Sequence, residues 1–223
     1  MFCQEISGLG IDMADVGLDS IIDNPTLKEI PIIKYIQSIA KITLSVRDAF
    51  EAKKQMVFLQ QINNGAAVEK AIEKRRIAYQ NGDSWFYREI ENTIIYLSRH
   101  ARIEKVKLQA KLYLDYINSI ISEEKYYECL DVLDILLIGD IPVLKDIYTE
   151  QSSLSNLSDN LQQKIKDIKT DFDYITCGRL NAAGLVCPVS HGMSFGALLS
   201  HNYLITDLGK YFGKMILDLN ITL

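Results

Sequence analysis

Apolar positions recur at three- and four-residue spacing through most of the chain, which predicts helices and little else until near the C-terminus. From Ile32 to Val46, Ile32, Ile33, Ile36, Ile39, Ala40 and Leu44 form one stripe, while Lys34, Gln37, Lys41 and Ser45 fill another face. Pro31 opens this helix, and Pro25 opens a turn before it that Asp23 or Asn24 can cap. The pattern continues through Phe50, Met56, Phe58, Leu59 and Ile62 and stops at Asn63-Asn64-Gly65. A further helix runs from Ala66 to Asn81 and ends at Gly82. A long one is expected from about Tyr87 to Ile120, because Ile90, Ile94, Leu97, Ala101, Leu108, Leu112 and Tyr116 keep the period. Ser122, followed by Glu123 and Glu124, opens another helix through Leu137, and Gly139 closes it. A short helix at Ile141–Tyr148 precedes "SSLSNLSDN", the best linker in the sequence.

The pattern changes after a helix expected over Asp171–Ala183. Gly184 suits a left-handed helix end, and "LVCPV" and "LLSHNYLI" alternate as strands around Gly192 and Gly196. Leu185–Val189 and Leu198–Ile205 are therefore expected to pair as an antiparallel hairpin, and Thr206 is placed to cap a last helix. The fold class read from this order is mainly α: a helical N-terminal half (1–120) and a C-terminal winged-helix-like module (121–223) containing a short β-hairpin.

Composition narrows the reading. The 223 residues are enough for one large domain or two small ones, with a net charge of −5. Residues 1–119 hold 16 Lys/Arg against 15 Asp/Glu, and residues 120–223 hold 8 against 14, so the winged candidate lies in the acidic half. The N-terminal segment is acidic and lacks the basic-then-apolar order of a secretory signal. Cys3, Cys129, Cys177 and Cys187 are scattered and read as reduced thiols, which points to a bacterial cytoplasm.

A Gly-Leu-Val step followed by Tyr-x-Ile-Thr-x-x-Gly, here Gly184–Val186 and Tyr203–Gly209, resembles the ending of bacterial winged-helix domains. It also resembles the tail of bacterial abortive-infection (Abi-alpha-like) and related uncharacterised proteins, over roughly residues 172–216. That resemblance implies a role in antiviral defence, as an accessory or effector that limits infection through a partner or a membrane.

The alternative is a winged-helix transcriptional regulator. DNA binding needs cations on the recognition helix and wing, yet the helix offers Arg179 beside Asp171 and Asp173, and the segment 185–206 contains no Lys or Arg. Lys164, Lys166 and Lys169 are offset by Asp159, Asp167, Asp171 and Asp173. Arg179 is the DNA-contact candidate on that alternative, and the electrostatics favour a module that packs on protein instead.

No catalytic or cofactor signature accompanies these patterns, and the expectation is a non-enzyme without a cofactor. Cys177, Cys187, His191 and His201 are zinc-ligand types, but Cys-x9-Cys-x3-His-x9-His lacks a knuckle that fixes a ligand pair, so packing and surface roles are expected. Gly8–Gly10 follows no strand and fails as a phosphate loop. His100, among Arg99, Arg102 and Glu104, is expected on a solvated helix face. The Ile30–Val46 helix spans about 25 Å, short of a bilayer core, and Lys34 and Lys41 oppose simple spanning. Its stripe of Ile32, Ile36 and Ile39 with Lys34 and Lys41 suits a core helix, a protein or homo-oligomer interface, or a helix at the surface of the inner membrane. These five residues are the interaction candidates.

Overall fold

The computed structural model describes residues 46–64, 69–154, 174–189 and 202–221. Among them are eight helices and two strands: α1 (Val46–Asn64), α2 (Glu69–Asn81), α3 (Ser84–Arg99), α4 (Ile103–Ile117), α5 (Glu123–Ile135), α6 (Asp140–Leu154), α7 (Tyr174–Ala182), β1 (Val186–Val189), β2 (Asn202–Ile205) and α8 (Asp207–Asp218). They fall into two compact units divided between Asp134 and Ile135. Helix α5 thus goes with the first unit, although the sequence grouped it with the second. Aromatic packing explains the assignment, because Tyr126 of α5 stacks on Tyr116 of α4 at 4.8 Å between centroids.

In the first unit, α4 is the central helix. Val106, Leu108, Leu112, Tyr113 and Ile117 are buried, as are Gln109 and Asp115, so little of its circumference reaches solvent. Phe58, Leu59 and Ile62 of α1, Ile72 and Ala78 of α2, Phe86, Ile90 and Leu97 of α3, and Tyr126, Leu130 and Leu133 of α5 complete the core. Two rules of register describe the packing. Thr93 O accepts from Gln109 Nε2 at 2.9 Å and Glu89 Oε1 accepts from Tyr113 OH at 2.8 Å. Both pairs are symmetric about residue 101, so α3 and α4 are an antiparallel hairpin. Asn92–Tyr127, Tyr96–Asp131 and Arg99–Asp134 instead keep a constant offset, so α3 and α5 run parallel.

The long helix expected from Tyr87 to Ile120 is therefore two helices. Residues 100–102 break it, with His100 and Arg102 extended (ψ 117° and 137°). It also stops at Ile117, where Ser119 turns left-handed (φ 59°) and Ile120 N bonds Asp115 O at 2.8 Å. Gly82 and Gly184, both at φ 72°, end their helices as glycine should. Ser122 Oγ caps α5 through Lys125 N at 3.1 Å. Helix α5 ends at Ile135, two residues early, and α6 runs to Leu154, past the short helix expected and into the first residues of the proposed linker.

In the second unit, Ile141, Leu144, Ile147, Cys177, Leu180, Leu185, Val186, Phe212, Met215 and Ile216 form the core. The strands pair antiparallel, as expected, with Val186 opposite Ile205 and Val189 opposite Asn202; the hairpin tip at Gly192–Gly196 lies outside the described residues. The outward groups of β2 are taken by one side chain: Gln151 Nε2 donates to Tyr203 O at 2.8 Å and Gln151 Oε1 accepts from Ile205 N at 2.9 Å. On β1, Pro188 faces Tyr203, so its missing N–H falls at an outward position rather than in the ladder.

Candidate functional site

The break after α3 is organised by Lys54, which stands on the buried side of α1 and is 1% exposed. Its spacing from Phe50, Phe58 and Ile62 places it on the apolar stripe. Its ammonium donates to the carbonyls of Leu97, Ser98 and His100, each at 3.1 Å, and pairs with Glu51 Oε1 at 2.8 Å. These carbonyls have lost the amides that a continuing helix would supply, so one cation replaces part of a helical turn.

Beside it, the His100 ring is buried, contrary to the solvated face expected for it. Its spacing continues the buried series Phe86, Ile90, Thr93 and Leu97, so the periodicity of α3 itself places residue 100 on the inner face. Burial, then Lys105, pushes its pKa down to about 4, with Lys54 acting in the same direction and Asp134 opposing. The imidazole is therefore neutral at physiological pH.

A second buried polar group lies along the same hairpin. Arg75 of α2 binds Glu89 through Nε at 2.7 Å and Nη2 at 2.8 Å, a two-pronged pair with both side chains almost fully enclosed. The Arg75 guanidinium also lies 5.3 Å from the Tyr116 ring centre and 5.9 Å from that of Trp85. Burial and the Glu89 carboxylate hold the Tyr113 phenol well above its ordinary range, so it stays protonated and donates to Glu89. Glu89 thus receives three hydrogen bonds and serves as an internal anchor rather than a free base.

In the second unit the Gly-Leu-Val and Tyr-x-Ile-Thr-x-x-Gly residues converge on one point. The Leu185 carbonyl accepts from Thr206 N at 3.0 Å, the Thr206 hydroxyl donates to the Gly184 carbonyl at 2.7 Å with Leu185 O a longer 3.1 Å away, and Thr206 Oγ1 in turn accepts from Gly209 N at 3.0 Å. A β-carbon on Gly209 would run into the Leu185 carbonyl oxygen, so glycine is what admits α8 to this contact. Nearby, Arg179 grips the fully buried Asp140 through Nε at 3.0 Å and through Nη2, and Nη2 donates to Thr176 Oγ1 at 2.9 Å. Asp140 Oδ2 also accepts from Leu137 N at 3.0 Å.

Of the residues singled out in the sequence, Ile32, Ile36, Ile39, Lys34 and Lys41 lie outside the described residues, as do His191 and His201. Arg179 is turned onto Asp140. Cys177 is buried as a small apolar residue and Cys187 is exposed on β1. No group of His, Cys, Asp and Glu among the described residues is placed to hold a metal ion. None of the described helices is long and apolar enough to cross a membrane. Lys54, Arg75 and Glu89 went unremarked in the sequence, though each is a charge set on an apolar stripe, which is the signal that finds them. Comparison with protein-family models, curated proteins and solved structures returned no match.

Proposed function

We propose that the protein is a non-catalytic bacterial defence protein of the abortive-infection type. It acts as an accessory or effector through protein–protein or membrane-surface contacts. The observation that carries this reading is the meeting of Gly184, Leu185, Thr206 and Gly209 at one contact, which gives the motif behind the resemblance a physical role. The C-terminal unit is then a winged-helix-like module, with the β1–β2 hairpin as its wing, used for packing on protein. The engagement of Arg179 by Asp140 supports that use over DNA binding, since the guanidinium is already matched to a carboxylate. The Ile32, Ile36 and Ile39 stripe with Lys34 and Lys41 is the candidate contact surface.

The second reading, a DNA-binding regulator, draws on the helix–hairpin–helix order of the second unit. Retention of duplex DNA over a salt series, run beside sedimentation with anionic vesicles and a phage-challenge assay of cells expressing the protein, separates the two. Protection against infection without duplex retention is the expected result. Salt-sensitive duplex binding, with no effect on infection, would replace the defence reading with the regulator.

A further inference from the structure

His100 stands at the C-cap of α3, and both of its ring nitrogens are buried without a hydrogen-bond partner among the described residues. A helix C-terminus favours a nearby cation, because its last carbonyls lack amide partners. Lys54 of α1 supplies that cation to Leu97 O, Ser98 O and His100 O. An imidazolium at position 100 would bring a second positive charge to the same helix end. The charges that face the ring come from three elements: Lys54 of α1, Lys105 of α4 and Asp134 of α5. Gln109 of α4, whose Oε1 is also buried without a partner, favours a protonated ring. Asp134 is already shared with Arg99 at 3.4 Å, and Lys54 with Glu51 at 2.8 Å. Of the neighbours in sequence, Arg99 and Arg102 are exposed cations and Glu104 is a half-buried carboxylate. The corner therefore has one place for a cation and two groups able to fill it.

We propose that protonation of His100 displaces Lys54 from the end of α3 and frees α1 from the α3–α4 corner. Lys54 is the group able to leave, because part of its environment travels with it. Glu51, three residues before it on α1, is 34% exposed and pairs with its ammonium at 2.8 Å. The exposed Phe50 ring, also on α1, lies 5.5 Å from the same ammonium. His100, which belongs to α3, then serves as the cation at that helix end. Burial is the largest obstacle to a charged ring, and water admitted as α1 withdraws removes it. The closed arrangement is therefore fully favoured above the ordinary pKa of 6.5 and loses that advantage as pH falls towards about 4. Withdrawal uncovers Phe58, Leu59 and Ile62, which are at most 1% exposed when α1 is docked.

Hydrogen exchange of the full chain at pH 7 and pH 5, corrected for intrinsic rates, tests the displacement. With the ring at about 4 in the closed form and 6.5 in the open one, the amides of Phe58 to Ile62 should exchange about 20-fold faster at pH 5. Those of Leu108 to Leu114, in the middle of α4, should keep their protection. His100→Gln, which cannot take up the proton, should show no such acceleration in α1. Equal acceleration in α1 and α4 would overturn the proposal, because His100 would then weaken the whole unit rather than release one helix. Acceleration that persists in His100→Gln would overturn it too, by assigning the response to another group. So would α1 amides that stay protected at pH 5, since the ring would then take its proton, if at all, without moving Lys54.

Discussion

Glu89 and Arg75 lock together inside the first unit through two bonds of 2.7 and 2.8 Å, with 2% and 5% of their side chains exposed. Tyr113 adds a third bond to the same carboxylate, so α2, α3 and α4 meet at one group. Enclosing two charges costs several kcal/mol each, and only a nearly complete set of partners offsets that.

Removing one member should therefore be worse than removing both. Arg75→Met alone leaves a carboxylate enclosed without its cation and is expected to destabilise by about 3–5 kcal/mol. Arg75→Met with Glu89→Leu should recover most of that loss. Urea unfolding followed by the fluorescence of Trp85, whose ring lies beside Arg75, measures both. A double variant as weak as the worse single one would show that the pair contributes more than charge balance.

His100 makes stability depend on pH in a defined direction. Its folded pKa of about 4 lies below the ordinary 6.5, so the unfolded chain binds a proton over that window when the fold does not. The contribution is complete above pH 6.5 and is lost as pH falls towards 4, by about 3 kcal/mol. Protonation would add a cation beside Lys54 and Lys105, with Asp134 the opposing charge. Relative to His100→Gln, wild-type stability should decline through this window. Parallel pH curves for the two proteins would contradict it.

The sequence made some of this legible and hid the rest for physical reasons. Gly82, Gly184, Ser122 and Thr206 act through local backbone geometry, so their roles as helix ends and caps could be read one residue at a time. The antiparallel pairing of the two strands was legible from alternation in the same way, although its register, Val186 opposite Ile205, was not. The break at residues 100–102 could not be read, because Lys54, which holds it, is distant in the chain and the local residues favour helix. His100 was legible: it continues the buried series Phe86, Ile90, Thr93 and Leu97, but its charged neighbours Arg99, Arg102 and Glu104 pointed the expectation to solvent. The grouping of α5 with the first unit depends on Tyr116 stacking on Tyr126, a tertiary contact without local signature. Arg179 was visible as a cation, but its partner Asp140 lies in another helix.

Gln151 substitutes for a neighbouring strand along β2, and its two bonds predict an asymmetric series of variants. Gln151→Glu keeps the acceptor for Ile205 N but turns a donor into a second acceptor facing Tyr203 O. Gln151→Leu removes both partners at once. Each lost bond costs about 1 kcal/mol, and an oxygen set against a carbonyl costs more. Gln151→Glu should therefore be the more destabilising at neutral pH, and should approach wild type at low pH as the carboxyl regains a proton to donate. Thermal melts at pH 7 and pH 4, normalised to wild type at each, test the crossover. A Leu variant weaker than the Glu variant at pH 7 would count against the strand-edge role.

Three helical glycines in the second unit should respond to alanine with opposite signs. At Gly213, a β-carbon would come within 2.5 Å of Tyr148 Cβ and Cγ, where α8 crosses α6. At Gly209 it would meet the Leu185 carbonyl and Ile205 Cγ1, at the contact that joins the hairpin to α8. Neither site can yield by turning a flexible side-chain end, because the obstacles are backbone or atoms close to it. Overpacking of this kind costs about 1–3 kcal/mol, and the backbone clash at Gly209 should lie at the upper end. Gly178, in the middle of α7, is exposed and has nothing within 4 Å of the position a β-carbon would take. There alanine only restricts the unfolded chain and improves helix propensity, a gain of about 0.5–1 kcal/mol. The three single variants, compared by melting temperature under one buffer, should order as Gly178→Ala above wild type, then Gly213→Ala, then Gly209→Ala. A Gly209→Ala protein as stable as wild type would mean that α8 does not need the close approach to Leu185, and the convergence of the motif residues would lose its explanation.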